Sequence, residues 1–299
     1  MYDIIIAGAG PGGLSAAMYA ARAGKNVVVI AESIGGTASC AHNIENFSGH
    51  ISISGLELTQ IMHKQCERLK VNFIISTMVK MELKGNIKLI TLIDGRIISA
   101  HCVILAMGAT CRTLGLKEEV VLMGHGLSYC AMCDGSFYKN CNVIVNGGGN
   151  TALDSALFLA SLAKTVTLIH RNQSFRAAKI LTDRLKDSGV KLVLDSVITN
   201  LKGAPLNFVE IKNVVSGVIS EIQTDALFVA IGIIPNTGLV KSEILLDENS
   251  KILTDAFMRT NIENVYAIGD IRNTPLRQIM TACADGAIAS EHASKQFKM

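Results

Sequence analysis

The chain has 299 residues, enough for two domains that each bury a core of their own. Hydrophobic residues make up 49%, charged residues 18%, glycine is plentiful at 26 and proline sparse at 4; this excludes a disordered or fibrous chain and suits an α/β protein. The net charge is only +3, without a long basic run, which argues against nucleic acid as a main partner.

From Ile4 to Ala21 no residue is charged, a length close to that of a membrane span. The stretch contains Pro11 and several glycines, and Asp3 stands where a signal peptide would need a basic residue. It reads instead as a strand over Tyr2–Ala7, a glycine turn Gly8-Ala-Gly-Pro-Gly-Gly13, and a helix from Leu14 to Ala23 that Gly24 can end. Asn26–Ile30 is the next strand, completing a βαβ unit. The expectation is a cytoplasmic protein with no membrane span.

GxGxxG directly after a strand lets the backbone approach a pyrophosphate, whose charge the helix N-terminus stabilises. Glu32 follows Gly13 by 19 residues, where an acid can accept hydrogen bonds from a ribose diol. Gly85 to Ala100 alternates in the manner of antiparallel strands, and the apolar strand Cys102–Ala106 ends in Met107-Gly108.

The βαβ grammar then returns. Cys141–Val145 is a strand, Gly147-Gly-Gly149-Asn-Thr-Ala152 a second glycine turn, Leu153–Ala163 a helix and Thr165–Ile169 a strand. The first glycines of the two turns are 139 positions apart (147 − 8). Here no acid follows the second strand; His170-Arg171-Asn-Gln-Ser-Phe-Arg176 takes its place, and an arginine fork suits a 2′-phosphate, favouring NADPH over NADH. Apolar strands recur at Ala226–Ala230 and at Val265–Ile268, the latter running into Gly269-Asp270. A second nucleotide domain inserted into the first is expected, with joints near 112–121 and 235–242.

Eight cysteines stand at 40, 66, 102, 111, 130, 133, 141 and 283. Without a secretion signal a disulfide scaffold is disfavoured, and most should be buried and inert. Only Cys130-Ala-Met-Cys133 forms a CxxC pair, which can close a short disulfide. Two other readings stand beside that one. A zinc site would need two more ligands, for which His125 and Cys141 could be conscripted at an unusual spacing; or both thiols are structural. Asp134 follows the pair, where a carboxylate could manage a proton as a thiolate forms. The isolated histidines at 42, 50, 63, 101 and 125 fit no ligand pattern, and no metal is expected.

Taken together, the motifs resemble the low-molecular-weight thioredoxin reductases, from Tyr2 to about Phe297. The segments that carry the resemblance are the two glycine turns, Ile44-Glu-Asn-Phe-Ser-Gly49, Cys130–Asp134, Ile231-Gly-Ile-Ile-Pro-Asn-Thr237, Tyr266–Asp270 and Arg277-Gln-Ile-Met-Thr-Ala282. The resemblance implies two Rossmann-like three-layer ββα nucleotide-binding domains, with FAD bound by residues 1–111 and 243–299 and NADPH by residues 112–242. It places FAD along Gly8, Gly10, Pro11, Gly12, Glu32, Gly35, Gly36, Thr37, Asn46, Gly108, Gly269, Asp270, Arg277, Gln278 and Ile279. It places NADPH on Gly147, Gly149, Asn150, Thr151, Arg171 and Arg176.

The implied activity is that of a thioredoxin-disulfide reductase, a homodimer that passes electrons from NADPH through FAD to Cys130–Cys133 and on to thioredoxin or a thioredoxin-like protein. Cys133 is then the flavin-side sulfur, Cys130 the attacking one and Asp134 the acid/base. The chain departs from the family at Thr37, where glutamine is usual, and at Asn172, where arginine is usual. A charge-assisted contact is worth roughly 1.5–3 kcal/mol, so losing one lowers discrimination against NADH by roughly ten- to a hundredfold. Competing expectations are another donor, NADH or ferredoxin, another small disulfide protein as acceptor, or a flavin-binding redox sensor that turns nothing over.

Overall fold

The computed structural model describes residues 1–41 and 44–296. His42 and Phe297, at which the sequence reading set a histidine and the end of the resemblance, lie outside them. The chain divides into two compact units: Met1–Thr110 with Ile234 onward, and the continuous stretch Cys111–Ile233. Each unit is described by itself.

The first unit begins with β1 (Tyr2–Ala9), α1 (Pro11–Arg22) and β2 (Val27–Ile34). Proline at the first helical position fits an N-terminus, and alanines extend the helix until Gly24, at φ +76°, turns the chain out of it. Then follow α2 (Gly55–Arg68), β3 (Asn72–Ile75), β4 (Met78–Glu82), β5 (Lys88–Leu92), β6 (Ile97–Leu105) and β7 (Ala109–Cys111). Ser54 caps α2 by accepting from the Glu57 N–H at 3.1 Å.

The second unit holds α3 (Glu119–Leu122), β8 (Leu127–Ser128), α4 (Ala131–Asp134), β9 (Asn142–Asn146), α5 (Asn150–Ala160), β10 (Thr165–Ile169), α6 (Lys179–Lys186) and β11 (Lys191–Val193). It continues with β12 (Ser196–Gly203), β13 (Leu206–Asn213), β14 (Ile219–Gln223) and β15 (Ala226–Val229). After β16 (Ile233–Pro235), β17 (Val265–Ala267) and α7 (Ile279–Gln296) belong again to the first unit. The crossing strands β7 and β16 pair with each other.

In the first unit the sheet order is β3-β2-β1-β6-β5-β4, with β17 also on β6. On the edge away from β1, strand β6 serves two partners along its length. Its first half pairs antiparallel with β5, as the alternation predicts, and Val103–Leu105 pair parallel with β17. Alternation sends Ile4 and Ile6 into one core with α1 and α7, and Ile5 and Ala7 into another on the opposite face.

In the second unit the parallel sheet runs β11-β10-β9-β15-β8. One face packs on α5 and α6 through Val143, Val145, Leu153 and Leu185; the other packs on the antiparallel β12-β13-β14 through Ile144, Leu227, Leu201 and Val209. This is the three-layer arrangement, an α/β fold in which the second unit interrupts the first. Helix α5 starts at Asn150, earlier than the expected Leu153, because Gly149 already serves as its N-cap.

The return crossing falls at 233/234, not at 242/243 as the sequence reading set it. Val240 and Ile244 explain the difference: both are buried in the first unit's core, which claims the segment after Pro235. Asn236 reinforces this, with its Nδ2 donating to Met107 O at 2.8 Å and its N–H to Gly108 O at 3.1 Å.

Two close contacts fix the glycine turns. Helix α7 crosses α1 through small residues: a Cβ on Gly286 would collide with Gly12 O and stand 2.9 Å from Ala16 N. Ser290 Oγ donates to Ala16 O and Ser15 Oγ to Cys283 O, each at 2.8 Å. In the second unit the His170 ring lies against Gly148, stacks on Phe175 at 5.3 Å and donates from Nε2 to Ser174 O at 3.2 Å. Burial holds its pKa below the usual 6.5, and the Arg171 and Arg176 charges add to that.

Gly286→Val has no room to be accommodated, and is expected to lower unfolding stability by about 3 kcal/mol, read from urea denaturation. The neutral His170 gives a signed pH effect. Because the unfolded chain takes up a proton near pH 6.5 before the folded one does, this contribution to stability is present above that pH and is lost as pH falls below it. Unfolding free energy measured against pH should therefore fall less steeply below pH 6.5 in His170→Gln than in the parent chain.

Candidate functional site

The first glycine turn is built by exclusion. Gly8 sits at φ +114°, and a Cβ there would collide with Ala106 O at the end of β6. Gly10, the N-cap of α1, faces open space: a Cβ there meets nothing within 4 Å, and no side chain caps the helix. The N–H groups of the first turn thus open onto a cradle that a methyl group would fill, a fit for a pyrophosphate. Pro11 and Gly12 are buried beneath it, and a Cβ on Gly12 would stand 3.1 Å from Ala282 O of α7.

The other residues assigned to the first cofactor all lie in this unit. The Gly35 N–H donates to Ala9 O at 2.8 Å, and a Cβ on Gly36 would stand 3.2 Å from Gly10 Cα, so this segment folds over the turn. Thr37 follows in a 3-10 turn. Glu32 is exposed past the buried part of β2 and has no side-chain partner among the described residues, which leaves its carboxylate free to accept from a diol. Asn46 Nδ2 donates to Gln278 Oε1 at 3.1 Å, joining residues 232 apart in sequence. Gly108 turns at φ +64° and is held by Asn236. Ile279 commits its side chain to the Ile44–Ile53–Leu58 cluster, so only its backbone can face a ligand.

Asp270 is flanked by Arg277 and by Lys251, which the sequence reading missed. Burial pushes the Asp270 carboxyl above the usual range, against the pull of Arg277 and Lys251. Burial, with the Arg277 charge, holds Lys251 below its own range. A second omission lies beneath them. Asp285 accepts from Arg272 Nε at 2.7 Å and Nη2 at 2.9 Å, and from the Gly269 N–H at 3.0 Å. This buried ion pair fixes the Gly269-Asp270 turn to α7. The acid stands in the middle of a helix, 15 residues beyond Asp270 (285 − 270), where no motif marks it.

The second glycine turn repeats the first. Gly147, at φ +151°, would drive a Cβ into Ala230 O, whereas Gly149 caps α5 and meets nothing within 4 Å. The basic loop is pinned to it at two places: the Arg176 N–H donates to Gly148 O, and Asn150 Oδ1 accepts from the Ala178 N–H, both at 2.8 Å. Thr151 is exposed in the first turn of α5. Arg171 and Arg176 are exposed, with no side-chain partner among the described residues, and so are available to an anion.

Cys130 and Cys133 form a disulfide, with Cα atoms 5.3 Å apart. Cys130 is the N-cap of α4, and its Sγ accepts from the Cys133 N–H at 3.2 Å. Both sulfurs belong to half-buried residues. Asp134 Oδ2 accepts from Ser128 Oγ at 2.6 Å. Among the described residues, no three or more His, Cys, Asp or Glu side chains gather where they could hold a metal ion, and no helix is long and apolar enough to cross a membrane.

A sequence profile of the pyridine nucleotide-disulphide oxidoreductases matches residues 2–286. A thioredoxin reductase of Peptoclostridium acidaminophilum is 38% identical over 305 residues, covering 99% of this chain and 96% of that one. One from Treponema pallidum (strain Nichols) is 38% identical over 300 residues, covering 99% and 97%. The crystal structure of thioredoxin reductase from Streptococcus pyogenes MGAS5005 superposes with a TM-score of 0.93 at 39% identity, covering 99% of both chains. The family implies a flavin and a pyridine nucleotide. The chain belongs to the pyridine nucleotide-disulphide oxidoreductase family, among its thioredoxin reductases.

Proposed function

We propose that the chain is an NADPH-dependent thioredoxin-disulfide reductase with FAD as its flavin and Cys130–Cys133 as its working dithiol. The observation that carries the reading is the Cys130–Cys133 disulfide, closed beside Asp134 in the unit that also presents the second glycine turn. A bound flavin supplies two-electron transfer between a pyridine nucleotide and a disulfide.

The cradle at Gly10 receives the FAD pyrophosphate, with Gly8, Pro11 and Gly12 shaping it. Glu32 accepts from the ribose diol, and Gly35, Gly36 and Thr37 cover the turn. Gly108, Gly269 and Asp270 line the ribityl side, while Asn46, Arg277, Gln278 and the backbone of Ile279 orient the ring. Gly147, Gly149, Asn150 and Thr151 form the equivalent seat for the nucleotide donor. Arg171 and Arg176 neutralise its 2′-phosphate, and the absence of an arginine at Asn172 favours weaker rejection of NADH.

At the dithiol, the Cys130 thiolate attacks one sulfur of the acceptor disulfide and expels the other, forming a mixed disulfide. The Cys133 thiolate then attacks Cys130 Sγ, releasing the reduced acceptor and closing the Cys130–Cys133 bond again. Asp134 takes up and returns the proton that separates thiol from thiolate. A homodimeric state belongs to the same reading and rests on the family resemblance.

Anaerobic flavin bleaching with NADPH, NADH and reduced ferredoxin in parallel tests the donor: NADPH should be fastest, and rapid bleaching by ferredoxin alone would overturn the assignment. Cys130→Ser should abolish NADPH-driven reduction of a disulfide dye; turnover that survives it would remove the dithiol from the reaction. Arg176→Ala should raise KM for NADPH roughly tenfold or more and leave KM for NADH in place, as removal of a charge-assisted phosphate contact requires.

A further inference from the structure

Asp134 is held by a side chain that lies outside the CxxC motif. Ser128 ends β8, two residues before Cys130, and is 5% exposed. Its hydroxyl oxygen lies 2.6 Å from Asp134 Oδ2 and 3.0 Å from the Cys130 nitrogen. One atom thus donates to the carboxylate and accepts from the amide. A distance of 2.6 Å falls within the ordinary range for a hydroxyl-to-oxygen hydrogen bond.

The backbone that carries this hydroxyl is fixed on both sides. Leu127 and Ser128 pair with Leu227 and Phe228 of β15, and the Leu227 N–H donates to Gly126 O at 2.8 Å. The next residue is anchored separately: Tyr129 donates its hydroxyl to Glu119 Oε2 at 2.5 Å. Glu119 is buried and also accepts from the Leu114 and Leu116 N–H groups at 2.8 and 2.9 Å. The Ser128 backbone therefore cannot shift without breaking a strand pairing or the hydrogen bonds on the buried Glu119 carboxylate.

We propose that Ser128 is a positioning residue for proton transfer at the dithiol, orienting the Asp134 carboxylate and the Cys130 backbone through one hydroxyl. The inference rests on the reading of Cys130–Cys133 as the working dithiol. Two-electron reduction of the disulfide breaks the sulfur–sulfur bond and leaves two sulfur anions; a bound flavin would supply those electrons from the pyridine nucleotide. One proton passes from the Asp134 carboxyl to a sulfur, giving one thiol, one thiolate and a carboxylate. On reoxidation by the acceptor disulfide the thiol returns the proton. A donated hydrogen bond is stronger to a charged carboxylate than to a neutral carboxyl, so the Ser128 hydroxyl favours the charged form. Tyr138 also feels Asp134: its hydroxyl is pushed up by burial and further by the Asp134 charge.

The experiment compares Ser128→Ala, Ser128→Thr, Asp134→Asn and the double variant in the full-length flavoprotein. Anaerobic bleaching reads electron entry; reduction of 5,5′-dithiobis(2-nitrobenzoate) and of a bacterial thioredoxin reads electron exit. Ser128→Ala should keep the bleaching rate, lower kcat with both acceptors roughly tenfold, and move the acid limb of kcat/KM upward by about one pH unit. Ser128→Thr, which retains the hydroxyl, should restore both readouts, and in the Asp134→Asn background Ser128→Ala should produce no shift. A Ser128→Ala profile that overlays the parent, or a shift that persists without Asp134, would overturn the proposal. Ser128→Thr and Ser128→Val form an isosteric pair for the same comparison if Ser128→Ala does not fold. Failure of the dithiol reading itself shows separately, as turnover by Cys130→Ser with Ser128 intact.

Discussion

In each unit the backbone of a neighbouring strand ends directly against the first glycine of the turn. Ala106 O blocks a side chain at Gly8, and Ala230 O blocks one at Gly147. That close approach sets the exit angle of the chain from β1 and β9, and so aims the N-termini of α1 and α5 into open space. The contrast within each turn carries the chemistry. Gly8 and Gly147 are packed shut and Gly10 and Gly149 are left clear, so the same few residues weld helix to sheet and leave N–H groups free for an anion.

The surroundings of the two turns then diverge. Around the first, α7 lies on α1 through Gly286 and Ser290, and Asp285 ties the Gly269-Asp270 turn to that helix. A helix from the far end of the sequence thereby becomes part of the wall behind the first turn. Around the second, the anchoring element is local: the His170 ring rests on Gly148, and Arg176 bonds the same glycine through its backbone. Because that bond uses the main chain, the guanidinium remains available for binding.

Sequence patterning made the two βαβ units, the antiparallel arm and the dithiol legible, because each depends on contacts within about thirty residues and leaves a periodic or fixed-spacing trace. The return crossing at 233/234 was not legible. Pro235 and Asn236 resemble a loop, and what assigns them to the first unit is the burial of Val240 and Ile244 against strands more than a hundred residues away. Lys251, Arg272 and Asp285 were missed for a similar reason. Their partners are brought to them by the fold, and a single charged residue in a helix or loop carries no spacing signal. Ser128 lay in view within the dithiol segment, but its role depends on the direction of its hydroxyl, which a sequence does not encode.

Eight cysteines in one redox protein raise a problem of selectivity, and burial resolves much of it. The thiolate is the reactive form, so a thiol whose pKa is raised is withdrawn from exchange. Burial pushes Cys66 up to about 12 and Cys283 up to about 11, and it raises Cys102 and Cys141 as well. Cys40 departs from the expectation of buried, inert thiols, since it is exposed at the end of a 3-10 turn. Cys130 and Cys133 have what the other described cysteines lack, a partner sulfur, and they combine it with partial exposure and a following carboxylate. Burial thus raises the cost of the thiolate inside the cores, while the paired sulfurs stand partly exposed, followed by a carboxylate.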